Sequence, residues 1–151
     1  MAYCTVKEVL DGLKADMINV IIGDDYIEDE EERIKAITPL TEEAIEDAGA
    51  EIDGYLAKRY EVPFARTPKV INKFAKDIAL YNLVSRKGID EGDLEKTYLN
   101  RYNSAIAFLT KVAEGKIDIG VGDNSTEDAA KNGFPMRSSR RTFSRDSMKG
   151  W

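Results

Sequence analysis

The apolar residues of this chain recur mainly at helical spacing, and the clearest pattern spans residues 42–84. Two stripes of apolar residues, three or four positions apart, are separated by a segment between Pro63 and Pro68. This spacing places each stripe on one face of an α-helix, and proline cannot continue a helix. The first stripe comprises Ala44, Ile45, Ala48, Ile52, Tyr55 and Leu56. The second comprises Val70, Ile71, Phe74, Ala75, Ile78, Ala79 and either Leu80 or Leu83. The pattern predicts an antiparallel helical hairpin as the core of the fold.

Local signals set the expected limits of the hairpin helices. Thr41 follows Pro39 and is predicted to cap the first helix, and Thr67 is predicted to cap the second, with Pro68 at its first position. Gly49 and Gly54 lie inside the first helix, where each weakens the helix by about 1 kcal/mol relative to alanine. We therefore expect tight packing against a neighbouring backbone at both glycines.

Shorter patterns flank the hairpin. Thr5 and Glu8 have capping-box spacing and predict a short helix that ends near Gly12 or Asp16. Residues 17–22 fit either a helical turn or a short extended piece. A third long helix is expected from Asp90 or Asp93 to Gly115, and residues 117–121 alternate like a brief strand. The apolar stripe of the third helix is Leu94, Tyr98, Leu99, Tyr102, Ala105, Ile106, Leu109 and Val112. The expected fold class is mostly α, a small helical bundle with an extended C-terminal arm.

Length and charge divide the chain into two parts. With 151 residues and 42% hydrophobic content, the chain suffices for one core. We expect a helical body at residues 1–120 and an arm at 121–151. Residues 131–151 contain six basic residues and one acidic residue, a net charge of +5. Because the whole chain has a net charge of −6, residues 1–130 carry −11. An acidic body argues against coating of DNA by the whole protein, because lysine and arginine contacts to phosphate dominate such binding.

Composition removes several kinds of chemistry. The chain has no histidine and a single cysteine, Cys4, which excludes histidine-based nucleophile pairs and an intrachain disulfide. Cys4 is expected to be a reduced, buried thiol. No apolar run approaches the length of a membrane span and no signal peptide is visible, so the expectation is a soluble protein made in the cytoplasm. We expect no catalytic residue, no cofactor and no metal.

The acidic loop at residues 24–32 contains the carboxylates that a metal site would need. Asp24, Asp25 and Glu28 could hold a cation for a carboxylate enzyme, but the register of an EF-hand is missing. A solvated loop is favoured, and a negative face that lines an assembly is a further possibility. Because no reactive group of residues is visible, the enzyme ranks last among the functions.

Aromatic residues occur in two settings. Tyrosines at helical spacing are interpreted as core residues whose hydroxyls reach the surface, in preference to a base-stacking platform; they are Tyr55, Tyr60, Tyr81, Tyr98 and Tyr102. In the arm, apolar residues alternate with basic ones, a composition typical of segments that order on binding. About thirty extended residues reach roughly 100 Å. A disordered end is the alternative.

Three stretches of the chain carry a resemblance to a known family. These are the opening residues 1–5, the core AGAEIDGYLAKRYEVPF at residues 48–64 and AKDIALYNL at residues 75–83. The ending RTFSRDSMKGW at residues 141–151 contributes as well. The chain resembles a family of small proteins encoded in the structural-gene clusters of Mu-like tailed phages and prophages.

The resemblance implies a virion structural protein, the head–tail connector or adaptor subunit of the neck. Such subunits are mostly helical and form a ring, usually of twelve copies, under the portal protein. DNA passes through the lumen without sequence-specific binding, a stopper or tail-completion protein lies below, and no membrane is involved. The arm would bind the portal or a neighbouring copy through Phe134, Arg137, Arg140, Arg141, Phe143, Arg145, Met148 and Trp151. A phage regulatory protein that binds nucleic acid through its basic tail is the alternative.

Overall fold

Five helices account for most of the described chain. The computed structural model describes residues 2–23, 27–86 and 93–121, with side chains from Lys96 onward in the last range. The helices are α1 (Val6–Leu10), α2 (Ala15–Ile22), α3 (Glu30–Leu56), α4 (Lys69–Ser85) and α5 (Asp93–Ala113). No residue of these three ranges lies in a β-strand. The expected fold class, a mostly α helical bundle, is confirmed.

The central feature is the hairpin of α3 and α4. Arg86, at the C-terminal end of α4, pairs with Glu43 in the middle of α3 at 2.7 Å, while residues 57–68, the joint, connect the other ends. The two helices are therefore antiparallel. α5 returns along both of them, and α1 and α2 pack against the hairpin. The predicted stripes supply the core, whose largest fully buried side chains include Ile52, Leu56, Ile71, Ile78, Leu83 and Leu109.

Several predicted boundaries were wrong. Thr41 does not cap α3: the helix begins at Glu30, is capped by the Asp29 side chain, and continues through Pro39. Thr41 is buried, and its hydroxyl donates to the carbonyl of Ile37 at 3.0 Å. α4 begins one residue later than predicted, with Pro68 in the capping position and no side-chain cap.

Two other expectations also need correction. Gly54 is exposed, and a Cβ there would meet nothing within 4 Å, so no neighbouring backbone explains this glycine; Gly49, in contrast, is buried. Residues 117–121 do not form the expected strand, since no partner strand lies among the described residues.

The structure agrees with the expectations for the N-terminal residues. The Thr5–Glu8 capping box is present, residues 17–22 belong to α2, and Cys4 is a buried free thiol. The separation of an arm at residues 121–151 stays a prediction, because residues 122–151 lie outside the described ranges.

Candidate functional site at the base of the C-terminal arm

The structure describes how the chain continues after the last helix. α5 ends at Ala113, and Gly115 follows with a φ of 80°, the left-handed region that glycine adopts at helix ends. The amide of Lys116 donates to the Lys111 carbonyl at 2.9 Å, and that of Gly115 donates to Val112 at 3.0 Å. These two bonds form a Schellman motif. They turn residues 116–121, the arm base, away from the axis of α5.

Arg59 holds the arm base against the joint. Its Nη1 donates to the Val112 carbonyl at 2.8 Å and to the Ile117 carbonyl at 3.4 Å. A guanidinium is suited to this position, because the carbonyls at a helix C-terminus lack intrahelical partners and carry partial negative charge. Arg59 thereby joins the last turn of α5, the arm base and the end of α3.

Tyr60 makes a second contact to the arm base. It is 1% exposed, and its hydroxyl accepts from the amide of Ile119 at 3.5 Å. The next turn closes locally, because the Gly120 amide donates to the Asp118 carboxylate at 2.7 Å. Val121 then shares a cavity of about 540 Å³ with residues 61–66 of the joint.

The joint is in turn held by the N-terminal segment. The hydroxyl of Tyr3 accepts from the Phe64 amide at 3.4 Å and donates to Asp53. The rings of Tyr3 and Tyr60 lie 5.9 and 6.1 Å from that of Phe64. Burial, together with the bond to Asp53, raises the pKa of Tyr3 well above its usual value. The Val62–Pro63 peptide bond is cis. The contacts of Tyr3 and Tyr60 with Phe64 therefore hold the joint in a defined position beside the arm base.

The tyrosines of α5 pack into the helix interfaces. Tyr98 is buried and donates to the carbonyl of Gly12 at 3.4 Å. Tyr102 stacks on Tyr81 with ring centroids 4.3 Å apart, and it donates to Glu51 at 2.9 Å. Burial, followed by the bond to Glu51, raises the pKa of Tyr102 to about 12. The interpretation as core residues is confirmed for Tyr60 and Tyr98, which are buried, whereas Tyr55, Tyr81 and Tyr102 are half-buried.

A buried carboxylate between α4 and α5 escaped the sequence analysis. Asp77 is 2% exposed and bonds to Arg101 through two nitrogens, at 2.5 and 2.9 Å, with Lys73 at 3.7 Å. Its position three residues after Phe74, on the apolar side of α4, could have indicated from the sequence that this carboxylate is buried. Because Asp77 is buried, loss of Arg101 would leave its charge with only the more distant Lys73 to compensate it, so these bonds favour the packing of α4 against α5.

The predicted binding residues of the arm lie outside the described ranges, from Phe134 to Trp151. The same holds for Asp24 and Asp25 of the acidic loop, whereas Glu28 is described and exposed. Among the described residues, no group of three or more His, Cys, Asp or Glu side chains could hold a metal ion. Within the same ranges, no helix has both the length and the apolar character needed to cross a membrane.

Comparison with known proteins decides the family. The family model described as Bacteriophage Mu, Gp36 matches residues 3–138, which include the hairpin, the joint and the arm base. The chain belongs to the Bacteriophage Mu Gp36 family. A member from Haemophilus influenzae, the Mu-like prophage FluMu protein gp36, is 34% identical over 110 residues, or 73% of this chain and 74% of the relative. Gene product J of Escherichia phage Mu is 30% identical over 82 residues, which is 54% of each chain.

Family membership confirms part of what the resemblance implied. The chain is a Mu-like phage protein, as the opening residues and the core motif indicated. The match also extends through the joint and the arm base, so the contacts of Arg59 and Tyr60 fall inside the family region.

Proposed function

We propose that this Mu-like phage protein is a virion structural protein, the head–tail connector or adaptor subunit of the neck. Copies form a ring, of twelve subunits, under the portal protein and link the capsid to the neck or tail. A stopper or tail-completion protein binds below the ring, and DNA passes through the lumen.

The observation that carries this proposal is that residues 116–121, which precede the predicted basic arm, are held against an acidic helical body. Arg59 and Tyr60 hold the arm base beside the joint, and the residues that follow include Arg137, Arg140 and Arg141. A fixed origin limits the region that the aromatic and basic residues of the arm can reach. Repeating one short arm around a ring adds avidity to each weak contact.

The charge of the body suits a DNA conduit. Residues 1–130 carry a net charge of −11, and many of their carboxylates lie at the surface of α3, among them Glu30, Glu31 and Glu32. Because DNA is itself a polyanion, an acidic lumen lets it slide without adhesion. The virion neck is the proposed location.

Truncation of the arm tests the proposal. A chain that ends at Gly133 lacks every residue predicted to bind the portal or a neighbouring copy but keeps the described core, whose buried side chains lie between Tyr3 and Val112. We expect it to lose portal binding while its circular dichroism and melting temperature match those of the full chain. Unchanged affinity for the portal in a pull-down titration would refute the role of the arm.

The alternative function, a nucleic-acid-binding phage regulator, makes a different prediction. If the basic tail neutralises phosphates, DNA affinity falls steeply with salt. Fluorescence anisotropy of labelled duplex DNA across a salt series measures this slope. A strong, salt-dependent affinity together with indifference to the portal would favour the regulator.

A further inference from the structure

A groove separates the N-terminal segment from α3. It has a volume of about 680 Å³ and is open to solvent on one side. Its floor contains Cys4 and Ile45, both 5% exposed, and the buried Gly49, whose lack of a side chain adds depth. The groove therefore offers an apolar surface of the kind that aromatic side chains fill.

Carboxylates border this floor along α3. Glu42 and Glu46 are exposed and Asp53 is half-buried, and all three line the groove. Neither Glu42 nor Glu46 forms an ion pair within the part of the chain that the structure describes, and no lysine or arginine lines the groove. A ligand that fits must present an apolar group flanked by cations.

The chain itself contains such a segment outside the described ranges. Residues 141–145 read Arg-Thr-Phe-Ser-Arg, and in an extended backbone residues two apart face the same side. Arg141 and Arg145 would then flank Phe143, about 13 Å apart at roughly 3.3 Å per residue. The rise of α3 separates Glu42 from Asp53 by about 16 Å, so the two charge patterns have matching lengths.

We propose that this groove binds residues 141–145 of a neighbouring copy, with Phe143 on the apolar floor and the two arginines on the carboxylates of α3. The commitment to a neighbouring copy rests on the proposed ring, since binding of the arm of one copy in the groove of the next is a head-to-tail interface, the kind that generates closed rings. The linker is long enough, because the nineteen residues between Val121 and Arg141 reach up to about 65 Å.

Disulfide trapping in the full chain tests the contact. Ala50 is an exposed residue of the groove, and Ser144, next to Phe143, would face away from the groove floor and toward the exposed edge at Ala50. In Ala50→Cys/Ser144→Cys, oxidation with diamide should join copies into a ladder of covalent oligomers that grows with protein concentration. The native Cys4 interferes little, because burial raises its pKa to about 11 and the thiolate is the reactive form.

A matched control defines the expected size of the effect. The control is Ser104→Cys/Ser144→Cys. Ser104 is an exposed residue of α5 that borders the cavity between α4 and α5 and does not line the groove. We expect roughly tenfold more interchain disulfide in the groove pair, because docking raises the local thiol concentration. Adding Glu42→Lys/Glu46→Lys should remove this excess, and a further Arg141→Glu or Arg145→Glu, whichever arginine lies at that end of the groove, should restore it.

The same variants separate the two proposals. Equal yields in the groove pair and the control, or a disulfide confined to single chains, would overturn the groove contact between copies. Portal binding of the unoxidised proteins is measured in parallel by light scattering. Portal binding without interchain disulfide would overturn this inference alone, whereas interchain disulfide without portal binding would overturn the proposed function alone.

Discussion

Arg59 links two parts of the chain that are more than fifty positions apart in sequence. Its guanidinium binds the last turn of α5 and the arm base through the carbonyls of Val112 and Ile117. The sequence could not predict this role, because apolar periodicity carries no information on which distant carbonyl an arginine meets. The capping preference of cations at helix C-termini favours such a contact but names no partner.

Replacing Arg59 should loosen the arm base without unfolding the body. In Arg59→Ala, two carbonyls lose a charged donor, so we expect a loss of about 1–2 kcal/mol in the free energy of unfolding. The Ile119 amide should also exchange hydrogen faster. Urea denaturation and hydrogen exchange measure these effects, and Lys58→Ala, at the exposed neighbouring position, is the control. Equal behaviour of the two variants would contradict the assigned contact.

Two glycines, Gly54 and Gly115, differ in backbone conformation and should respond in opposite ways to replacement by alanine. Gly54 lies in α3 with open space around it, whereas Gly115 has a φ of 80° beyond α5. Gly54→Ala should therefore stabilise the protein by up to about 1 kcal/mol, and Gly115→Ala should destabilise it by about 1 kcal/mol or more. Thermal unfolding of both variants provides the comparison. A destabilised Gly54→Ala variant would mean that this face of α3 is covered.

At the level of elements, α3 shows where sequence rules competed. Proline usually ends a helix, which led to the prediction of a start at Thr41. Yet Ile37, Thr41, Ala44 and Ala48 keep the three-and-four spacing across Pro39, and all four are buried. Burial of this continuous face outweighs the hydrogen bond that proline cannot donate. α4 and α5 contain no proline, so the apolar periodicity alone predicted these two helices.

The short helix α1 depends on its capping box. The Thr5 amide and hydroxyl each donate to the Glu8 carboxylate at 2.9 Å, and the bonds from Thr5 lower the pKa of Glu8. A lowered carboxyl pKa contributes stability that is present above the ordinary pKa and is lost as the pH falls through the folded value. The contribution of the capping box should therefore depend on pH.

Thr5→Ala tests this dependence. We expect a loss of about 1 kcal/mol near neutral pH and a loss that shrinks as the pH falls below about 4.3, the ordinary glutamate pKa, because Glu8 is then protonated first in the unfolded state and, at lower pH, in the folded state. Urea denaturation at several pH values measures the difference, with Lys7→Ala at the exposed position two residues on as the control. A loss that does not change with pH would show that Glu8 takes no part.

At the scale of the whole molecule, the described residues form a helical body that ends in the arm base, and residues 122–151, the predicted basic arm, lie outside the described ranges. The hairpin, the family resemblance and the charge division were readable from the sequence, because each rests on local pattern or composition. The contacts of Arg59, Tyr60 and Asp77 and the groove beside α3 were not, because they depend on how distant segments meet. The connector proposal combines both kinds of observation.

The mass of the protein in solution, alone and mixed with its portal protein, tests the connector proposal most directly. Light scattering on a sizing column gives the mass of each species. The account predicts that the full chain joins the portal at one copy per portal subunit, and that the chain truncated after Gly133 does not join. A stable protein that elutes apart from the portal at every mixing ratio would contradict it.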